Sequence, residues 1–349
     1  YESRPTIDWE ERQKEFLSLV EQYRSKDGSN YDCIVPVSGG KDSTYQVLTL
    51  LKYGLRPLCI IATTCQLSEI GRNNIENLKG LGVDCIEYST NPRVRSTLNR
   101  IGLIEVGDIS WPEHVAIFTV PVRVAVNFKI PLIVWGENSQ HEYGGPASKA
   151  HDRVLDRRWL EEFGGLLGLR VSDLIGRDDL TVQDLQLLTY PSQEELDHVG
   201  VTGLFLGHYF PWDGYANALL AQANGFQTTP TAIEGSLVNY ENLDNIQTGI
   251  HDYFKFLKYG FCRVSDIAST HIRRDRMRRD DAIQIVKARD GTFPWTYLGY
   301  PLKDVLDRID MSLDEFVKIC DRFTNKQIFQ TDNRGNLIKD RLGNLKKIN

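Results

Sequence analysis

The chain has 349 residues, 41% of them hydrophobic, enough for one large folded domain with additions or two smaller ones with their own cores. Its 41 basic and 47 acidic residues leave a net charge of −6, so no global field favours a nucleic-acid backbone and nucleic-acid binding is not expected. Six scattered cysteines (Cys33, Cys59, Cys65, Cys85, Cys262, Cys320) without Cys-x-x-Cys spacing, no apolar run of membrane-spanning length and no leader pattern together predict a cytoplasmic protein with reduced thiols.

Trp9 to Tyr23 places Phe16, Leu17, Val20 and Tyr23 on one face at helical spacing, which predicts an amphipathic helix. Strand-like runs then alternate with helical ones: DCIVPV (32–37), STYQVLTLLKYG, LCIIATT (58–64), IGRNNIENLKGLG, DCIEYS (84–89), HVAIFTVPVRVAVNF and PLIVWG (131–136). Such alternation predicts an α/β fold, an open doubly wound parallel sheet with helices on both faces. From about Gln140 to Gly200 the pattern turns polar and suggests short inserted helices, and GLFLGHYF (203–210) reads as a further strand. After Leu237 the chain becomes helical and charged, with no repeat evident and a polar tail from about Thr331. The expected organisation is an N-terminal helix (1–30), an α/β core (31–145) completed by 201–240, a helical insertion (146–200) and a helical C-terminal region (241–349).

The loop VPVSGGKDSTYQVL (35–48) follows an apolar strand and opens a helix, an arrangement that aims backbone amides and a helix N-terminus at one anion. It is not a Walker A loop, because Val35 stands where the first glycine is needed and Lys41 is followed by Asp42; nor does it supply the third glycine of G-x-G-x-x-G. Ser38, Gly39, Gly40, Lys41, Asp42 and Ser43 resemble the Ser-Gly-Gly-x-Asp-Ser loop of the PP-loop ATP pyrophosphatases, whose HUP-like, adenine nucleotide alpha hydrolase fold agrees with the alternation above. The resemblance implies ATP as substrate, cleaved to AMP and pyrophosphate with help from Mg²⁺. The serine hydroxyls and glycine amides can donate to phosphate oxygens, Lys41 can offset charge there, and Asp42 can hold the metal or its waters. In that superfamily adenine lies against the backbone ending the second strand, here Ala62 and Thr63. A buried strand end is the alternative for those two, as a solvated turn is for the loop.

The runs WGENSQHEYGG (135–145), GHYFPWDG (207–214) and IHDYFKFLKYGFCRVSDIASTHIRRDRMRRDDAI (250–283) resemble the N-acetyl sugar amidotransferases of surface polysaccharide biosynthesis, over most of the chain. That resemblance implies conversion of an acetamido group on a nucleotide-linked sugar into an acetamidino group, with ammonia from a glutaminase and cyclase-like partner. Gly136, Glu137 and Asn138 follow a strand at the carboxyl edge of the sheet, where open α/β folds bind ligands, and are candidates for the adenylate or acceptor pocket, with Glu142 and Tyr143 next to them. Arg273, Arg276 and Arg279 recur at spacing three and match the family's arginines; they can converge on a diphosphate or sugar carboxylate, or form a solvated helix face. Asp275 stands between them where the family pattern has glycine. Lys255 and Lys258 can reach a phosphate or snorkel at the surface, while Tyr253, Phe254, Phe256 and Tyr259 read as packing and His251 as structural. Asp213, beside Trp212, is either a turn residue or an aid to the acceptor or metal. Family members commonly open with paired cysteines that look like a zinc site; this chain lacks that spacing, and zinc is expected only in residues preceding Tyr1.

Two other functions fit parts of this pattern. A PP-loop tRNA-modifying enzyme, a thiolase or lysidine-type ligase, would want a basic surface and, for many thiolases, paired cysteines. A non-catalytic ATP-binding module would need only the loop.

Overall fold

In the computed structural model, which describes residues 7–64, 66–137 and 166–348, five strands form one sheet: β1 (Cys33–Pro36), β2 (Pro57–Ala62), β3 (Asp84–Tyr88), β4 (Leu132–Trp135) and β5 (Thr202–Phe205). Every pairing is parallel and the order is β3-β2-β1-β4-β5, the open doubly wound sheet that the alternation predicts. Cys33, Val35, Cys59, Ile61, Leu132 and Val134 share a core with Phe16 and Val20 of α1 (Trp9–Glu21), Val47 and Leu50 of α2 (Lys41–Lys52), and Ile75 and Leu78 of α3 (Glu69–Lys79). Strand residues of the other parity, Ile34, Ile60 and Ile133, are at most 2% exposed. After α4 (Pro92–Val106), α5 (Trp111–Phe128) packs on β1, β2 and β4. Burying each such aliphatic side chain contributes about 1.5–3 kcal/mol.

The chain divides into two units. The sheet unit runs to Arg95 and resumes over Trp111–Gln227; the C-terminal unit takes Ser96–Ser110 and the chain from Thr228 onward. This division is discontinuous, because Leu103 and Ile109 are buried in the core of the C-terminal unit. Within 166–200 lie α6 (Val182–Leu185) and α7 (Gln193–Val199). The run 203–210 is not one strand. β5 ends at Phe205 and a helical turn, α8 (Leu206–Tyr209), follows; Leu206 and Tyr209, three apart, are both fully buried, a helical period rather than an alternating one. Then comes α9 (Gly214–Ala223), capped by Asp213, whose carboxylate accepts from Tyr215 N.

The C-terminal unit contains α10 (Thr248–Tyr259), α11 (Arg263–Arg273), α12 (Arg279–Arg289), a small hairpin of β6 (Thr296–Tyr297) and β7 (Tyr300–Pro301), α13 (Leu302–Arg308) and α14 (Leu313–Phe323). Tyr253, Phe254, Phe256, Leu257, Phe316 and Phe329 are central to its core, whereas Tyr259 is 59% exposed. No helix among the described residues is long and apolar enough to cross a membrane.

The segment from Thr331 is not a tail. DNRGNLIK (332–339) recurs as DRLGNLKK (340–347), a repeat too short to stand out from sequence with only two copies. In the first copy the Asp332 carboxylate accepts from Arg334 N, Asn336 N and Asn336 Nδ2; in the second, Asp340 accepts likewise from Leu342 N, Asn344 N and Asn344 Nδ2. Gly335 and Gly343 take the left-handed conformation at corresponding places, and bridges Thr331–Leu337 and Lys339–Leu345 close the two turns. Trp295 Nε1 donates to Leu342 O at 2.8 Å, fastening the second copy.

Candidate nucleotide site

The strand order reverses between β1 and β4, and in a doubly wound sheet the crevice at that reversal, beyond the carboxyl ends of the strands, is where ligands sit. The loop 38–40 leaves β1 there and Gly136–Glu137 leaves β4. The sequence thus places its two most informative stretches on the two sides of the switch point.

The loop is built around Gly39, with φ +81°, a conformation that L side chains rarely adopt. A Cβ at this position would lie 2.8 Å from the Ile75 side chain and 2.9 Å from Ile75 N, so the loop lies directly on α3 and only glycine fits. Gly40 N donates to Ser38 Oγ at 3.3 Å, and Ser43 Oγ and Thr44 Oγ1 each donate to Gly40 O at 3.0 Å. These bonds fix the loop against the start of α2, whose first amides have no intrahelical acceptor and carry the positive end of the helix dipole. Ser38 is exposed at the rim; Lys41 is only 5% exposed, and its Nζ donates to Asp42 Oδ2 at 2.6 Å. The other oxygen, Asp42 Oδ1, accepts from Asn217 Nδ2 of α9 at 2.7 Å. Gly39, Gly40, Lys41, Asp42 and Ser43 therefore lie in one hydrogen-bonded loop at the start of α2 that brings together amides, hydroxyls, an ammonium and a carboxylate, group types that suit a polyphosphate and a divalent cation.

Across the switch point, Gly136 is hemmed by Trp212 and Gln46: a Cβ there would meet the indole at 3.2 Å and Gln46 Oε1 at 3.3 Å. Gln46 Nε2 donates to Val134 O at 2.6 Å and Gly207 N to Gly136 O at 3.0 Å, holding the half-buried Glu137 at the mouth. Trp212 stacks edge-on against Tyr45, centroids 5.3 Å apart, so the GHYFPWDG stretch forms a wall of this crevice. Ala62 ends β2; Thr63 N donates to Tyr88 O and Thr63 O accepts from Arg95 at 3.0 Å. Asn138, Glu142 and Tyr143 lie outside the described residues.

The remaining candidates are in the C-terminal unit. Lys258 Nζ donates to Val106 O at 2.8 Å and Gly107 O at 3.1 Å, closing the end of α4; burial pulls its pKa down, opposed by Asp108. Lys255 pairs with Asp266. Arg273 bonds Ser269 and Thr270 on its own helix, and Arg273, Arg276 and Arg279 are all exposed around the turn joining α11 to α12. Asp275 in that turn has φ +55°, a left-handed conformation that aspartate tolerates better than most residues and that glycine would adopt without strain.

Sequence reasoning missed Asn217, Arg95 and Gln46 in the sheet unit, and in the C-terminal unit Arg263, whose guanidinium is clasped by Asp252 at 2.6 and 2.8 Å. Asn217 had a signal: a polar residue inside ANALLA, four positions after the helix-capping Asp213. His251 Nδ1 bonds Asp108 Oδ1 at 2.8 Å; burial works against the charged ring, but Asp108 outweighs it and raises the pKa above the ordinary value.

Comparison with known proteins adds one match of direct bearing. Residues 234–343 match the family model "LPS biosynthesis protein WbpG-like, C-terminal domain". This stretch lies within the C-terminal unit and includes Lys255, Lys258 and the arginine turn. None of the curated proteins compared with the chain matches it. Among solved structures, NMN synthetase from Francisella tularensis is similar over 65% of this chain and 99% of its own, at 11% identity and a TM-score of 0.29. The fold assignment rests on the strand order and register themselves.

Proposed function

We propose that this protein is an ATP-dependent amidotransferase of surface polysaccharide biosynthesis, acting on a nucleotide-activated N-acetyl sugar. The observation that carries the proposal is the Ser-Gly-Gly-Lys-Asp-Ser cradle at the switch point of a β3-β2-β1-β4-β5 sheet, in a chain whose residues 234–343 match a lipopolysaccharide biosynthesis domain.

An amide carbonyl is a poor electrophile and its oxygen a poor leaving group. Attack of the acetamido oxygen on the α-phosphorus of ATP expels pyrophosphate and leaves an O-adenylyl imidate; ammonia then adds to its carbon and AMP departs, giving the amidinium. Oxygen leaves with AMP and nitrogen takes its place. The glycine amides, the serine hydroxyls and Lys41 hold the polyphosphate and offset the charge that grows on departing pyrophosphate. Mg²⁺, when bound, would supply further neutralisation, and Asp42 is the carboxylate that would hold it in this reading. Glu137 at the opposite lip, with Asn138 next in the chain, orients the acceptor. Arg273, Arg276 and Arg279 are assigned to the nucleotide sugar in this reading, and Glu142 and Tyr143 keep the acceptor role that the resemblance implies; Lys258, bonded to Val106 O and Gly107 O, and Lys255, paired with Asp266, are not assigned to it. Ammonia is mostly ammonium at neutral pH, so a glutaminase partner that delivers it sheltered from water fits the chemistry.

The test is mass spectrometry of a reaction containing ATP, Mg²⁺, ammonium chloride and a UDP-linked diacetamido uronic acid, followed by CMP-linked nonulosonates. The expected result is AMP together with a sugar whose mass reflects replacement of oxygen by an imino group. Pyrophosphate release that depends strictly on tRNA would overturn the proposal in favour of a tRNA-modifying enzyme, and ATP binding without turnover of any acceptor would favour a binding module.

A further inference from the structure

We infer that Asn217 is a positioning residue for Asp42, fixing the carboxylate so that one chosen oxygen meets the divalent cation; this rests on the reading of the loop as a Mg·ATP site. The Asp42 carboxylate is held at both oxygens, Oδ1 by Asn217 Nδ2 at 2.7 Å and Oδ2 by Lys41 Nζ at 2.6 Å. Both holders are buried, Asn217 at 2% and Lys41 at 5% exposure. They differ in what a cation would do to them.

Lys41 carries a positive charge on a flexible four-carbon stem, so a divalent cation arriving at Oδ2 repels the ammonium and competes with it directly. Its stem allows it to turn from the carboxylate toward a phosphate. Asn217 is neutral, comes from α9 rather than from the loop, and has no electrostatic reason to release Oδ1. Asn217 is therefore the fixed support and Lys41 the exchangeable one.

The local sequence supports this division. Asn217 lies inside GYANALLAQA, where alanine and leucine favour the helix and a buried amide is costly unless bonded. Asp213 caps the helix and accepts Asn217 N at 2.8 Å, and α9 packs along α2. The cap thus sets the turn on which Asn217 sits, and the helix pairing aims its amide at Asp42.

The experiment uses the full chain and its Asn217→Ala and Asn217→Leu variants, the second retaining volume without the donor. Calorimetry follows binding of the non-cleavable α,β-methylene analogue of ATP while Mg²⁺ is titrated, and in EDTA. The variants are expected to need about tenfold more Mg²⁺ for half-maximal binding, the loss due to one charge-assisted hydrogen bond. Analogue affinity in EDTA stays as in the unsubstituted chain. Unchanged Mg²⁺ dependence in either folded variant overturns the inference and makes Asn217 a staple between helices, as does an equal loss with and without Mg²⁺. If Asn217→Ala does not unfold cooperatively, Asn217→Leu decides. Absence of any Mg²⁺-dependent binding in the unsubstituted chain overturns the loop reading itself, a failure that the unsubstituted chain alone reveals.

Discussion

Arg95 and Glu113 form an ion pair at 3.0 Å inside the sheet unit, with side chains 3% and 8% exposed. The same guanidinium donates to Thr63 O and Thr90 Oγ1, tying α4 to the ends of β2 and β3. A buried charge left without its partner is far more costly than the pair is favourable, so Glu113→Ala should destabilise the protein by about 3–5 kcal/mol. Urea unfolding monitored by circular dichroism measures this. A loss below about 1 kcal/mol, the range of an exposed pair, would refute the assignment.

At Gly39, left-handed backbone and contact with Ile75 act together, so Gly39→Ala should cost about 1–3 kcal/mol in stability and remove pyrophosphate release. Asp42→Ala makes the contrasting case: pyrophosphate release is lost while the thermal unfolding transition persists. Retained turnover in Asp42→Ala would remove the loop from the reaction.

The left-handed Asp275 predicts a gain. Asp275→Gly relieves the positive φ and should stabilise the C-terminal unit by a few tenths to about 1 kcal/mol, read as a higher urea midpoint, whereas Asp275→Ala should lower it. Arg276→Ala in the same turn should weaken binding of the nucleotide sugar more than of ATP in paired titrations. Equal losses would separate the arginine turn from the sugar.

His251 gives a pH prediction. Its folded pKa is raised by Asp108, so the unfolded ring releases its proton first as pH rises. The stabilisation is complete below the ordinary histidine value near 6.5 and is lost as pH climbs through the higher folded value. Urea midpoints should fall from about pH 6.5 upward in the unsubstituted chain, and this part of the slope should disappear in Asp108→Asn. An identical slope in both proteins would count against the pairing.

The sheet was legible because buried parallel strands such as LIVW and LCIIA are continuous apolar runs, and Gly136 marks the end of the first. The loop was legible because its chemistry is local: six consecutive residues carry it. Asn217 was not, because its partner Asp42 is 175 residues away and only the pairing of α9 with α2 brings the two together. The division of the chain was hidden for a similar reason, since nothing in 96–110 announces that Leu103 and Ile109 are buried with the C-terminal helices. The strand expected over 203–210 ends at Phe205, where the unbroken burial of Gly203, Leu204 and Phe205 gives way to a helical turn with Leu206 and Tyr209 buried three apart.

The twin turns of 332–347 are each closed by an aspartate and an asparagine from within the same eight residues. Each copy thus closes its own turn, and the copies are also joined in series: Ile338 N of the first donates to Gln330 O, and Lys346 N of the second donates to Ile338 O, eight residues upstream in each case. The end of the second copy returns to the start of the segment, Gln330 N donating to Lys346 O and Ile348 N to Ile328 O, so a third copy would have to break that closure, and two is the number of turns that this ring of bonds accommodates.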